Sequence, residues 1–299
     1  MSIAAGLAGT VPDGRKLRPF WDAAGALRPP RPDIAVPPFS PEAEWLGGPA
    51  PRLERLVAAG SLLVHFLDFA QLNCLRALPY VREWHRRYHE HGLSVLAVHS
   101  PRFPFTRPAA AVPRALDQLQ IEWPVAVDER MSIWRAYGCR GWPSLFLWGR
   151  GGTLRWHHLG EGDYDGTELA IRESLDTPGS GWPELIAPLR PSDAPGARVI
   201  APTPEQFPGG SPEQPWSQGP RADPLSIAYE AGGAWAAVDG EGELRVILDH
   251  AESRSLPVAR PGLVELADHR RHEQHRLELH ASADLRVYSL QFAPAPARG

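Results

Sequence analysis

Residues 61–98 carry the pattern that most constrains the fold. An apolar run of strand length, Ser61–Leu67 (SLLVHFL), is followed by side chains at Leu75, Leu78, Val81, Trp84, His85 and Tyr88 that recur at helical spacing. A second apolar run, Leu93–Val98 (LSVLAV), comes next. The same alternation continues, with a helix expected over Ala109–Leu119, a strand over Pro124–Val127 and a helix over Met131–Tyr137. Strands over Ser144–Trp148 and Leu154–Leu159 precede a closing helix over Asp165–Leu175. Strands alternating with helices predict a mixed α/β sheet covered on both faces.

The periodicity stops at Thr177–Pro224, a stretch rich in Pro, Gly and Ser. After it come only strand-like alternations, at Trp235–Val238, Leu244–Leu248, Leu263–Leu266, Arg276–His280 and Arg286–Phe292. In the last of these Tyr288, Leu290 and Phe292 share one face and Ser289 and Gln291 the other. Short strands separated by turn signals predict a small β-sandwich. The chain of 299 residues is therefore divided into an N-terminal extension (1–40), an α/β domain (41–178), a linker (179–224) and an all-β domain (225–299).

Composition excludes several classes. The net charge of −4 gives no support to a nucleic-acid binder. No run of about 18 apolar residues is present, so no membrane span is expected. Arg15, Lys16 and Arg18 interrupt the N-terminus before any apolar core of signal-peptide type, which points to the cytoplasm. Two cysteines, Cys74 and Cys139, exclude a disulfide scaffold and a cysteine-built zinc site.

Strand Ser61–Leu67 runs into Asp68-Phe69-Ala70-Gln71-Leu72-Asn73-Cys74, where the long helix begins, with Pro79 further along it. Tyr137-Gly138-Cys139-Arg140-Gly141-Trp142-Pro143-Ser144 leads into a later strand. Together with NCLRALPYVREWHRRY (73–88), GLSVLAVHSPRFPF (92–105), WPVAVD (123–128), WRAYGCRGWPSLFLW (134–148) and HLGEGDYDGTELAIRESL (158–175), this resembles the thioredoxin fold. More narrowly it is similar to the redoxin domain of the TlpA/DipZ group, over residues 41–176. LRVILD (244–249), PGLVEL (261–266) and LRVYSLQF (285–292) also resemble, more weakly, the jelly-roll-like module that follows that domain in DipZ proteins. The resemblance implies a redox C-x-x-C at the start of the first long helix and a cis-proline loop opposite it. It also implies thiol–disulfide exchange with protein or peptide thiols, and an extracytoplasmic location as the alternative to the cytoplasm.

The departure from the family pattern falls on the chemistry. Where the family carries its first cysteine, three residues before Cys74, this chain has Gln71. That first cysteine is the exposed attacker, and amide dipoles of the helix start lower its pKa. The second sits one turn in and resolves the mixed disulfide. Glutamine cannot attack a disulfide, and Cys74 alone cannot close an internal one. Two readings of Cys74 remain, a monothiol acting through a mixed disulfide or sulfenic acid, and a small buried hydrophobe. Cys139 is either a second thiol for Cys74 or a core cysteine facing the sheet.

His65 stands on the first strand where thioredoxins carry a buried acid. It is either a proton-transfer group or an interior histidine satisfied by hydrogen bonds. Asp68 and Asn73 are expected to cap the helix start. The Trp142–Pro143 bond is expected to be cis, leaving Trp142 backbone for an extended peptide. With Phe69 and Trp134 it would line a shallow groove for a peptide or thiol ligand. His85 and His89, and His269, His272 and His275, are read as solvated polar faces without a recognised metal spacing. No cofactor and no metal are expected. A glycan or protein partner for the C-terminal domain is the third functional reading, and the sequence leaves the oligomeric state open.

Overall fold

The computed structural model describes residues 34–175, 182–219 and 223–297. Most of the expected N-terminal extension and parts of the expected linker lie outside these residues. No helix among the described residues is long and apolar enough to cross a membrane. The chain divides into two compact units. The first holds the described residues up to Asp68, with Arg76–Pro101 and Val112–Ile186. The second holds Phe69–Leu75, Arg102–Ala111 and the described residues from Ala187 onward.

The first unit is built on a six-stranded sheet in the order β1-β4-β3-β2-β5-β6. Its strands are β1 (Glu44–Leu46), β2 (Ser61–Leu67), β3 (Leu93–His99), β4 (Val125–Val127), β5 (Ser144–Gly149) and β6 (Thr153–Leu159). The helices are α1 (Leu53–Ala59), α2 (Leu72–Tyr88), α3 (Val112–Gln118), α4 (Ser132–Tyr137) and α5 (Tyr164–Ser174). Central β2 runs parallel to β3 and antiparallel to β5. All seven of its residues are buried, which is why its sequence is a continuous apolar run rather than an alternation. This is the mixed, helix-covered sheet of a thioredoxin-like fold. The three-residue edge strand β1 and the short helix α1 are too brief to give a periodic signal, and the sequence pattern does not mark them.

Two local devices close this unit. The backbone passes so near at Gly60 that a Cβ there would run into the Gly92 carbonyl oxygen. That carbonyl accepts the Ser61 N–H at 2.9 Å, so the approach admits glycine alone. Between α2 and α5, the buried Glu168 carboxylate accepts from Tyr88 Oη (2.5 Å), Arg172 (2.8 Å) and the Ile186 N–H (3.0 Å). Burial, then the Glu168 bond, pushes the Tyr88 phenol up to about 12. The buried charge is thus compensated on every side.

The second unit carries a five-stranded antiparallel sheet in the order β10-β9-β11-β8-β12 and a two-stranded sheet β13-β7. The strands are β7 (Val199–Ile200), β8 (Leu225–Asp239), β9 (Gly242–Leu248), β10 (Glu252–Val258), β11 (Gly262–Ala281), β12 (Arg286–Phe292) and β13 (Ala295–Pro296). Together they form a sandwich-like region over a core that includes Tyr229, Leu244, Leu277, Leu279, Val287 and Leu290. The two strands expected at Leu263–Leu266 and Arg276–His280 are the ends of the single strand β11, which shifts register between Asp268 and Glu273. The intervening ADHRRHEQH is polar and lacks alternation because it forms that irregularity.

Residues expected as bare linker also contribute to this sheet. Gln206 bridges Leu290 and Trp216 bridges Val287, so the segment covers the open edge of β12. Polar Ser289 and Gln291, on the strand face opposite Leu290 and Phe292, are buried as well.

Candidate functional site

Strand β2 delivers the chain to buried Asp68, and α2 begins four residues later. Gln71 occupies the position just before the helix, and its carbonyl accepts the N–H groups of Cys74 (3.0 Å) and Leu75 (3.2 Å). This closes the first turn across Gln71 and Cys74, the two positions at which the resemblance implies a C-x-x-C pair. Gln71 is 8% exposed, and its side-chain amide nitrogen has no hydrogen-bond partner among the described residues. Cys74 is 1% exposed. Neither Cys74 nor Cys139 is in a disulfide.

The helix start is held differently from the sequence expectation. Asn73 is the second residue of α2, inside the helix, and so is not placed as its cap. The Leu72 N–H, one of the amides a helix start leaves over, donates to Gln291 Oε1 at 2.7 Å. Gln291 Nε2 donates in turn to the Ala70 carbonyl (2.8 Å) and to Ser289 Oγ (3.0 Å). A strand residue from the far end of the chain thus caps the helix start, within the second unit. No local signal reveals it, because the partners are more than 200 residues apart. Gln291→Leu would strand two buried backbone groups. It is expected to lower the unfolding free energy by about 1–3 kcal/mol, measured by chemical denaturation, with Gln291→Glu keeping the acceptor for Leu72.

His65, on β2, is fully buried. Neither ring nitrogen has a hydrogen-bond partner among the described residues, which corrects the expectation of a hydrogen-bonded interior histidine. Desolvation holds its pKa down, to about 3, so the ring is neutral across the physiological range. A base this weak takes no proton from a thiol at neutral pH.

The loop before β5 is assembled within the first unit. The Trp142–Pro143 peptide bond is cis. The Trp142 indole stacks on Trp134 with centroids 4.2 Å apart and donates its N–H to the Ser100 carbonyl at 2.8 Å. Ser144 Oγ donates to the Gly141 carbonyl at 2.7 Å. Asp128, which sequence reasoning did not single out, anchors this arrangement. One of its carboxylate oxygens accepts the N–H groups of Ser132 (2.7 Å) and Ile133 (3.1 Å), and the other accepts that of Trp134 (2.8 Å). It thereby supplies the cap that α4 needs and sets the indole on which Trp142 lies. Beneath, Phe66 packs edge-on against Trp134 and Phe146. Cys139 is 8% exposed, and burial pushes its thiol well up, away from the thiolate.

Of the residues singled out in the sequence, His65, Asp68, Cys139, Trp142 and Pro143 lie in the first unit. Phe69, Gln71, Asn73 and Cys74 lie in the second.

A sheet of this order, with a helix springing from the end of its central strand and a cis-proline loop before β5, defines the thioredoxin-like class. No family model matches the chain. Protein DipZ of Mycobacterium tuberculosis is 34% identical over 148 residues, 49% of this chain and 21% of DipZ. The thiol-disulfide oxidoreductase YkuV of Bacillus subtilis is 28% identical over 134 residues, 45% of this chain and 86% of YkuV. The crystal structure of a thiol-disulfide isomerase from Corynebacterium glutamicum superposes with a TM-score of 0.43 at 22% identity, covering 48% of this chain and 99% of that one. The chain spans about one fifth of the length of the DipZ proteins it matches. Its α/β part is a thioredoxin-like redoxin domain of the DipZ/TlpA group.

Proposed function

We propose that this redoxin domain has kept the thioredoxin scaffold and lost dithiol exchange, and that it works as a binding domain for a protein or peptide partner at its Trp142–Pro143 loop. The observation that carries the reading is the burial of Cys74, 1% exposed, with a glutamine, Gln71, three residues before it, where the resemblance implies the attacking cysteine. Disulfide exchange requires an accessible thiolate to strike a sulfur in line. Gln71 offers no sulfur, Cys74 offers no access, and Cys139 is held as the thiol by burial. The half-buried Trp142 keeps an aromatic surface beside the loop, independent of any cysteine. In this reading the C-terminal sheet belongs to the working protein, since its Gln291 caps the helix start.

The competing reading, a monothiol enzyme acting through Cys74, is separated by thiol labelling of the native protein. The expected result is no modification of Cys74 or Cys139 by an aromatic disulfide reagent between pH 6 and 9 until denaturant is added. Rapid labelling of one thiol, rising with pH, would transfer the function to that thiol.

A further inference from the structure

The strongest chemistry outside the redoxin site lies on the irregular stretch of β11. Asp268 pairs with Gly233 and Glu273 with Ala231, so five steps along β11 match two along β8. The surplus residues bulge, with Arg270 in the left-handed region at φ 61°. The bulge folds His269 back until its ring stacks on that of His275, centroids 3.9 Å apart. Glu273, two residues before His275, shares its face of the strand and lies 3.3 Å from His275 Nε2. One donor atom each from His269, Glu273 and His275 comes within 4.8 Å of the others. His272, which the sequence spacing grouped with His269 and His275, points elsewhere, 3.7 Å from Glu230.

We propose that His269, Glu273 and His275 form a binding site for a divalent transition-metal ion of the zinc class. Two imidazoles and one carboxylate with a position left over are a donor set that zinc accepts. Tetrahedral zinc with bonds of about 2.0–2.1 Å places its donors roughly 3.3 Å apart. The Glu273–His275 pair already has that spacing, and His269, within 4.8 Å of both, has to close by up to about 1.5 Å.

Asp249 supplies a second, independent observation. Its Oδ2 lies 2.7 Å from His275 Nδ1, and its Oδ1 accepts the Arg276 N–H at 2.8 Å, which fixes the carboxylate. A carboxylate on one imidazole nitrogen turns the other nitrogen's lone pair outward, the arrangement that orients metal-bound histidines. At His275 that lone pair meets the Glu273 carboxylate, so two acceptors face each other unless a proton or a cation stands between them. A proton serves two atoms. The convergence of His269 as a third donor favours the metal. Tyr229, directly opposite His275 on β8, holds His269 Nε2 through its hydroxyl at 2.7 Å. His269 also lines a cavity of about 210 Å³ with Leu248, Arg254 and Asp268, which gives room for water or a small ligand at the remaining coordination position.

The test is calorimetric titration of the full chain with zinc chloride near pH 7, with cobalt(II) as a spectroscopic substitute. The expected result is one saturable equivalent per chain and visible cobalt bands of low coordination number. Glu273→Gln and His275→Ala should each weaken binding at least tenfold, and Asp249→Asn by about 10–100-fold. The double substitution His85→Ala/His89→Ala, on α2, should leave the titration unchanged. Circular dichroism checks that each variant is folded, and Glu273→Gln preserves size where His275→Ala does not fold. Absence of saturable binding overturns the proposal. So does binding that persists in Glu273→Gln and His275→Ala, or that disappears with His85 and His89.

Discussion

Gln71→Cys is expected to form an internal disulfide with Cys74 on mild oxidation, and the wild-type chain none. The first turn of α2 is already closed by the Cys74 N–H on the Gln71 carbonyl at 3.0 Å. Helical residues three apart have Cα atoms roughly 5 Å from one another, inside the separation that a disulfide spans. The new sulfur therefore needs no backbone movement to reach Cys74. It also stands at the helix start, where amide dipoles favour thiolate. Counting of titratable thiols before and after oxidation is expected to show two sulfurs lost in the variant and none in the wild type. Persistence of both thiols in the oxidised variant would place the redox turn elsewhere in the chain.

Acid is expected to unfold the wild type through His65. Its folded pKa, near 3, lies below the unfolded value of about 6.5. The unfolded state therefore binds more protons between these values, and stability rises with pH across that window. The contribution is fully present above pH 6.5 and is lost as the pH falls toward 3. One proton corresponds to about 1.4 kcal/mol per pH unit, so the loss reaches several kcal/mol at the acid end. His65→Leu removes the titration together with two buried nitrogens that lack partners. Denaturant titrations from pH 7 to 4 should show a smaller slope for this variant, with stability at pH 7 equal to or above the wild type. Equal slopes would show that the interior accommodates the imidazolium. The half-buried His85, whose pKa is lowered chiefly by desolvation, adds in the same direction in both proteins and drops out of the comparison.

The legible part of the molecule was the part governed by local periodicity. β2, α2 and β3 emerge from SLLVHFL, the 3.6-residue stripe of Leu72–Tyr88 and LSVLAV, because a helix-covered sheet demands continuous apolar strands. The resemblance drew the eye to Gln71, three residues before Cys74. Gln291 was not legible, because its role depends on a fold-back across more than 200 residues. Asp128 reads as an ordinary loop acid until three amides converge on it. The histidines near residue 270 mislead for a related reason. Their spacing suggests 269, 272 and 275, but the register shift in β11 exchanges His272 for Glu273. A bulge changes which side chains share a face, and a period-2 reading has no means of anticipating it.

Loss of dithiol exchange is tested most directly by insulin disulfide reduction with dithiothreitol, with the wild-type chain and Gln71→Cys run side by side. The wild type is expected to give no rate above dithiothreitol alone, and the variant to accelerate it. Multiple turnovers by the wild-type chain would contradict the account, because they would require a thiol couple that Gln71, Cys74 and Cys139 do not provide.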